Sequence, residues 1–79
     1  MNTQEALTWI SEIFEEPAGR IEVGMSREQI PGWDSLGTLS LLAALDERFD
    51  IHLSEQEIDS LQSVKDLVEV LGRHGVLSA

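Results

Sequence analysis

The sequence predicts an all-α fold: a small four-helix bundle, three longer helices plus one short helix, with a long loop between helices one and two. Three observations lead there. Apolar residues recur at helical spacing in three separate segments, near residues 3–16, 35–49 and 63–72. Each segment opens on a side chain suited to cap a helix, namely Asn2, Asp34 or Ser63. Between the first two, residues 17–34 show no sustained period and hold Gly19, Gly24, Pro31 and Gly32. A loop of that length can run along a bundle and join helices that would otherwise be antiparallel neighbours. Ile21, Val23 and Met25 alternate within it, but no second strand is available to pair. They read as contacts that tack the loop over the core. At 79 residues the chain is expected to be one domain, spanning 1–79, near the size at which a single core suffices.

Helix one is expected over residues 3–16. Asn2 caps it, and Glu5 stands three residues on, as a capping box requires. Leu7, Ile10 and Phe14 form the apolar stripe, Ala6 and Ile13 widen it, and Trp9 lies at its edge as half-buried packing. Pro17 ends the helix. In the loop, Ser26 and Gln29 are placed to cap a single turn that stops at Pro31.

Helix two is expected over residues 35–49. At about 100° per residue, Leu42, Leu45 and Phe49 fall together, with Thr38 beside them and Leu39 and Leu41 flanking; this is the expected core face. The opposite face holds Leu36, Ser40, Ala43, Ala44 and Glu47. It is small and partly apolar, which fits a surface that another protein covers and also fits a helix squeezed between neighbours. Leu36, with no core role at the helix start, favours docking. Beyond it, Ile51 and Leu53 of a short connector are expected to point inward. Ser54 with Glu57 opens a short helix to about Leu61, with Ile58 and Leu61 as contacts. Ser63, with Asp66 at the matching position, opens the last helix, whose stripe is Val64, Leu67, Val68 and Leu71. Gly72 or Gly75 ends it, and the tail from Val76 to Ala79 is expected to fray.

Composition removes several classes of function. A net charge of −10 opposes nucleic-acid binding, because phosphates need basic partners. It suits docking onto basic surfaces, and it also serves solubility alone. No cysteine is present, so disulfides and thiolate metal sites are excluded. The N-terminus lacks a signal-peptide pattern and no apolar run reaches membrane-spanning length, so a cytoplasmic monomer without membrane insertion is expected. The two histidines, His52 and His74, lack ligand spacing, and the acids between Asp46 and Asp59 lack the pattern of a calcium loop. No metal site is expected. Asp46 and Glu47 are the acids best placed to meet a basic partner.

Ser35 is the residue most open to chemistry. A serine there is ordinarily a helix cap, but Asp34 caps equally well and leaves Ser35 as the first helical residue. Its hydroxyl is then exposed beside unpaired backbone N–H groups, where an anionic phosphoester is favoured. The geometry suits a serine that becomes phosphorylated or phosphopantetheinylated. No local base activates it and no nucleophile elbow is present, so no catalytic residue is assigned and a hydrolase is disfavoured.

Asp34-Ser35-Leu36, the helix ending Leu45-Asp46-Glu47-Arg48-Phe49-Asp50-Ile51, then Leu53 and Ser63-Val64-Lys65-Asp66-Leu67 resemble the acyl carrier and peptidyl carrier protein family. The match runs in register over roughly residues 32–71. The resemblance implies a 4′-phosphopantetheine arm, taken from coenzyme A and joined to Ser35, with Asp34 and Leu36 as motif neighbours. It implies a non-catalytic carrier that holds an acyl or aminoacyl group as a thioester on an imported thiol. The implied partners are a phosphopantetheinyl transferase, an acyl- or aminoacyl-activating ligase or acyltransferase, and a downstream synthase or transferase. They would dock through Leu36, Ser40, Ala43 and Glu47. Fatty-acid-synthesis carriers usually have acids where Gly37 and Ser40 stand. With Trp33, these departures resemble specialised, free-standing carriers of lipid, polyketide or other secondary metabolism. The alternative is an unmodified acidic helical adaptor that docks partners through helix two.

Overall fold

In a computed structural model, which describes residues 1–17 and 19–77, the chain folds as helices joined by capped turns. The elements are α1 (Thr3–Ile13), a single 3₁₀ turn (Arg27–Gln29), α2 (Ser35–Phe49), α3 (Glu55–Asp59) and α4 (Val64–Arg73). The three expected capping boxes form as read: Asn2 with Glu5, Ser54 with Glu57, and Ser63 with Asp66. In the 3₁₀ turn the Gln29 side chain accepts from the Ser26 amide at 2.8 Å.

The helix C-termini follow a common plan. Helix α1 stops at Ile13, three residues short of the expected end. Glu15 turns left-handed at φ 56°, and the Glu16 amide donates to the Ser11 carbonyl at 2.9 Å. Pro17 disfavours helical backbone at the residue before it, so the turn must come earlier. Helix α2 closes through left-handed Asp50 (φ 55°), with the Ile51 amide on the Leu45 carbonyl. Helix α4 closes through Gly75 (φ 73°), with the Val76 amide on the Leu71 carbonyl. Each is a Schellman-type ending that satisfies orphan carbonyls, and Gly75, not Gly72, serves in α4. The tail does not fray as far as it is described. Val76 and Leu77 pack against the core, and the Val76 carbonyl accepts from the Met1 amino group. Residues 78 and 79 lie outside the described residues.

The core draws on the three longer helices and on the connectors, while α3 buries no residue. Ala6, Trp9, Ile10 and Phe14 come from α1, Leu41 and Leu45 from α2, and Val64, Leu67, Val70 and Leu71 from α4. Trp9 is buried rather than half-buried, because its ring meets Phe49 edge-on at 5.2 Å. The expected core face of α2 is rotated. Gly37, Leu41 and Leu45 are the buried line, Leu42 and Phe49 are half-buried, and Leu39 is 62% exposed. The cause is Gly37, which lies against the Gly32 carbonyl so closely that a Cβ there would overlap it. That contact fixes the roll of α2 about its axis. Ala44, placed on the outer face by its spacing, packs on the core instead.

The loop is tied down at both ends of its course. Ile21 and Ile30 are buried and Met25 is partly so. An antiparallel bridge joins Ser26 to Ser63: the Arg27 amide donates to the Gln62 carbonyl and the Val64 amide to the Met25 carbonyl. Gly32 lies so near the Phe14 carbonyl that any side chain would collide with it, which brings the end of the loop against the end of α1. The loop thereby delivers residues 33–35 to one fixed end of the bundle.

Candidate functional site at the start of α2

Trp33 anchors the junction between the loop and α2. Its ring is buried and stacks on Phe14 at 5.1 Å, with the Arg27 guanidinium 5.8 Å from its centroid. The indole N–H is buried with no acceptor among the described residues. One residue on, Asp34 is extended and caps α2: its Oδ1 accepts from the Gly37 amide at 2.8 Å. The Asp34 carbonyl accepts from the Thr38 amide and from the Thr38 hydroxyl. Ser35 is therefore the first residue of the helix, and it is exposed. The amides of Ser35 and Leu36 remain at the open end of the helix, where the aligned peptide dipoles favour negative charge.

Leu36 is 75% exposed. With Ser40, Ala43 and Glu47, all exposed, it makes one strip along α2 at intervals of three or four residues. The structure thus brings the four expected docking residues onto one face. No acid precedes Asp46 on this helix.

Asp46 is exposed and is paired within the chain. His52 Nε2 lies 2.5 Å from its Oδ1 and 3.6 Å from the Asp50 carboxylate. The hydrogen bond to Asp46, and then its charge, raise the pKa of His52 above the ordinary value. Sequence spacing had hidden this pair, since the left-handed turn at Asp50 is what folds the connector back. Asp46, Asp50 and His52 also bring possible ligand atoms within 4.8 Å of one another, all of them exposed.

A groove beside Ser35 was not legible in the sequence. It has a volume of about 470 Å³ and is walled by Ile13, Phe14, Leu36 and Leu39, with Glu15, Asp34 and Ser40 at its polar edges. Gly32 and Gly37 also line it, and their close approach to the backbone beside them draws its two walls together. The two glycines were the only available signal, and they do not reveal which part of α1 lies opposite.

The family described as "Phosphopantetheine attachment site" matches residues 9–71, most of the chain. The chain belongs to that family. The family's prosthetic group is 4′-phosphopantetheine, and the acyl carrier proteins are among its members. One of them, from Akkermansia muciniphila, is 49% identical over 37 residues, or 47% of this chain and 46% of that one. Acyl carrier protein 3, chloroplastic, of Cuphea lanceolata is 31% identical over 72 residues, covering 86% of this chain and 50% of its own. The matches span about half the length of these curated relatives. The solution structure of a holo acyl carrier protein from Geobacter metallireducens superposes with a TM-score of 0.76 at 28% identity. It covers 94% of this chain and 86% of its own. The all-helical architecture is thus that of an acyl carrier protein. Among the described residues no helix is long and apolar enough to cross a membrane.

The start of α2 fits the family's group. An exposed hydroxyl, released from capping by its neighbour, faces solvent at the positive end of a fifteen-residue helix. A phosphoester there meets free amides without displacing any bond that holds the fold.

Proposed function

We propose that this chain is a non-catalytic carrier, modified at Ser35 with 4′-phosphopantetheine and serving biosynthetic enzymes of specialised lipid, polyketide or related metabolism. The observation that carries the reading is the division of labour between Asp34, which caps α2, and Ser35, which is exposed and uncommitted. When bound, the group supplies a thiol able to hold an acyl or aminoacyl residue as a thioester, in a chain that has no cysteine of its own.

The residues act by presentation. Asp34 fixes the first turn, and the Ser35 and Leu36 amides face the phosphoester position. Among the described residues no side chain accepts a hydrogen bond from Ser35 Oγ, and His52 is bonded to Asp46, which stands about 16 Å along α2 from Ser35 at 1.5 Å per residue. The proton of Ser35 Oγ must therefore leave to a base on the modifying enzyme as the oxygen attacks the pyrophosphate of coenzyme A and adenosine 3′,5′-bisphosphate departs. The strip of Leu36, Ser40, Ala43 and Glu47 offers that enzyme, and the loading and consuming enzymes after it, a surface that is apolar near Ser35 and acidic only at its far end.

The test is intact mass after incubation with coenzyme A and a broad-specificity phosphopantetheinyl transferase. Addition of one phosphopantetheine to the wild type and none to Ser35→Ala is expected. An unmodified wild type, or a modified Ser35→Ala, overturns the reading. A helical adaptor that works without modification is the second reading, favoured by the exposure of Leu36 and Leu39. It requires Ser35→Ala to retain full activity in the cell.

A further inference from the structure

The groove between the end of α1 and the start of α2 has a place in this chemistry. We infer that it seats the near half of a phosphopantetheine arm, so that the arm rests against α1 instead of swinging free. The inference depends on attachment at Ser35.

Four observations converge on it. Ser35 lies between two groove residues, Asp34 and Leu36, and Leu39 stands one turn on along the same side of the helix as Ser35. Leu36 and Leu39 are the large apolar side chains that the described residues leave exposed, at 75% and 62%, and both stand in this wall. The opposite wall is Ile13 and Phe14, and the floor between is narrow because Gly32 and Gly37 carry no side chains. A volume of about 470 Å³ lies at the small end of the range for ligand sites, roughly 300–1,000 Å³.

The chemistry of the arm matches that lining in order. Beyond its phosphate comes a carbon bearing two methyl groups, then a hydroxyl, then the first of two amides. The branched carbon is compact and apolar, as Leu36, Leu39 and Ile13 require. The polar groups behind it need acceptors and donors, which Ser40 and the Glu15 carboxylate provide at the groove edge. A second cleft on α2, about 330 Å³, includes Leu42, Ile51 and Leu53 in its lining. Its first residue, Leu42, stands about 10 Å along the helix from Ser35. The near half of the arm meets the α1 groove before it can reach that cleft.

The experiment compares ¹⁵N-labelled apo and holo protein by NMR, with mass confirming one arm per chain. Amide shifts at Ile13, Phe14 and Glu15 on α1 are expected beside those at residues 34–40, together with nuclear Overhauser effects from the arm's geminal methyls to Leu36 and Leu39. Leu39→Gln, at an exposed position, should still accept the arm at Ser35 but lose the α1 shifts and the methyl contacts. Shifts confined to residues 34–38 with no methyl contact mean a free arm and overturn the inference, as do shifts centred on Leu42, Ile51 and Leu53. Concentration-dependent shifts at Leu36 and Leu39 in the apo protein assign the groove to a second copy and also overturn it. If mass shows no arm at all, attachment at Ser35 fails and the groove assignment fails with it; arm present without these shifts removes the groove alone.

Discussion

At the junction of loop and α2, the capping oxygen belongs to Asp34, so Ser35 Oγ carries no structural duty. The two residues should separate cleanly on substitution. Asp34→Ala removes the cap and should lower stability by about 1 kcal/mol. Ser35→Ala changes an exposed hydroxyl and should stay within about 0.5 kcal/mol. Urea unfolding measures both, and equal losses would contradict the assignment of the cap. Gly37→Ala is a sharper case, because helix propensity and packing disagree in sign. Propensity favours alanine by about 1 kcal/mol. The added Cβ, however, overlaps the Gly32 backbone carbonyl, which cannot rotate aside as a side chain would. Overpacking of that kind costs about 1–3 kcal/mol, so net destabilisation is expected from denaturation midpoints. Asp34, Ser35 and Leu36 were legible in the sequence because capping is a local rule. The partners of Gly32 and Gly37 were not, since nothing in residues 32–37 states that Phe14 lies against them.

Helix starts and helix ends differ in how far the sequence announces them. The side-chain caps follow from Asn or Ser with an acid three residues on, and from Asp34 alone at α2, and the boxes that open α1, α3 and α4 form accordingly. Glu57 illustrates the cost of removing one: hydrogen bonds from the Ser54 backbone and then its side chain hold its pKa below the ordinary value. Its contribution to stability is present above that ordinary value and is lost as pH falls through the folded one. Two of the left-handed endings use Glu15 and Asp50, which lack the glycine signal. Left-handed backbone costs a residue with a Cβ roughly 1–2 kcal/mol, of which glycine returns part as chain entropy. Glu15→Gly should therefore stabilise by about 0.5–1 kcal/mol, seen as a higher Tm; a lower Tm would mean that the Glu15 side chain does more than end the helix. At Asp50 the turn brings His52 to Asp46. The raised His52 pKa means that this pair favours the fold below the ordinary histidine value, and the effect disappears as pH rises through the folded value. An NMR titration of the His52 ring should show a midpoint above the ordinary value, falling back towards it in Asp46→Asn.

On the scale of the whole molecule, the bundle was legible because its three apolar stripes are periodic, while the roll of α2 was set by a glycine contact that periodicity cannot see. The loop's bridge to Ser63 escaped for a related reason: Ile21, Val23 and Met25 alternate up to it, but the partner segment is a helix cap with no alternation of its own. Charge is the property read most directly from composition, with fifteen acids against five Lys and Arg. They share a body of only 28 × 26 × 20 Å. At low ionic strength the Debye length, about 30 Å at 0.01 M, exceeds those dimensions, so the acids repel one another across the molecule. At 0.15 M it falls to about 8 Å and repulsion survives only between neighbours. Unfolding relaxes the repulsion by spacing the charges apart, so added salt should raise Tm, most steeply between those two conditions. Screening depends on ionic strength and not on the cation, which makes the cause testable. Sodium and magnesium chlorides at matched ionic strength should raise Tm alike. If magnesium is much the stronger and Asp46→Asn removes its advantage, cation binding at Asp46, Asp50 and His52 would be responsible in place of screening, because a general preference for divalent counterions would survive the loss of one exposed acid.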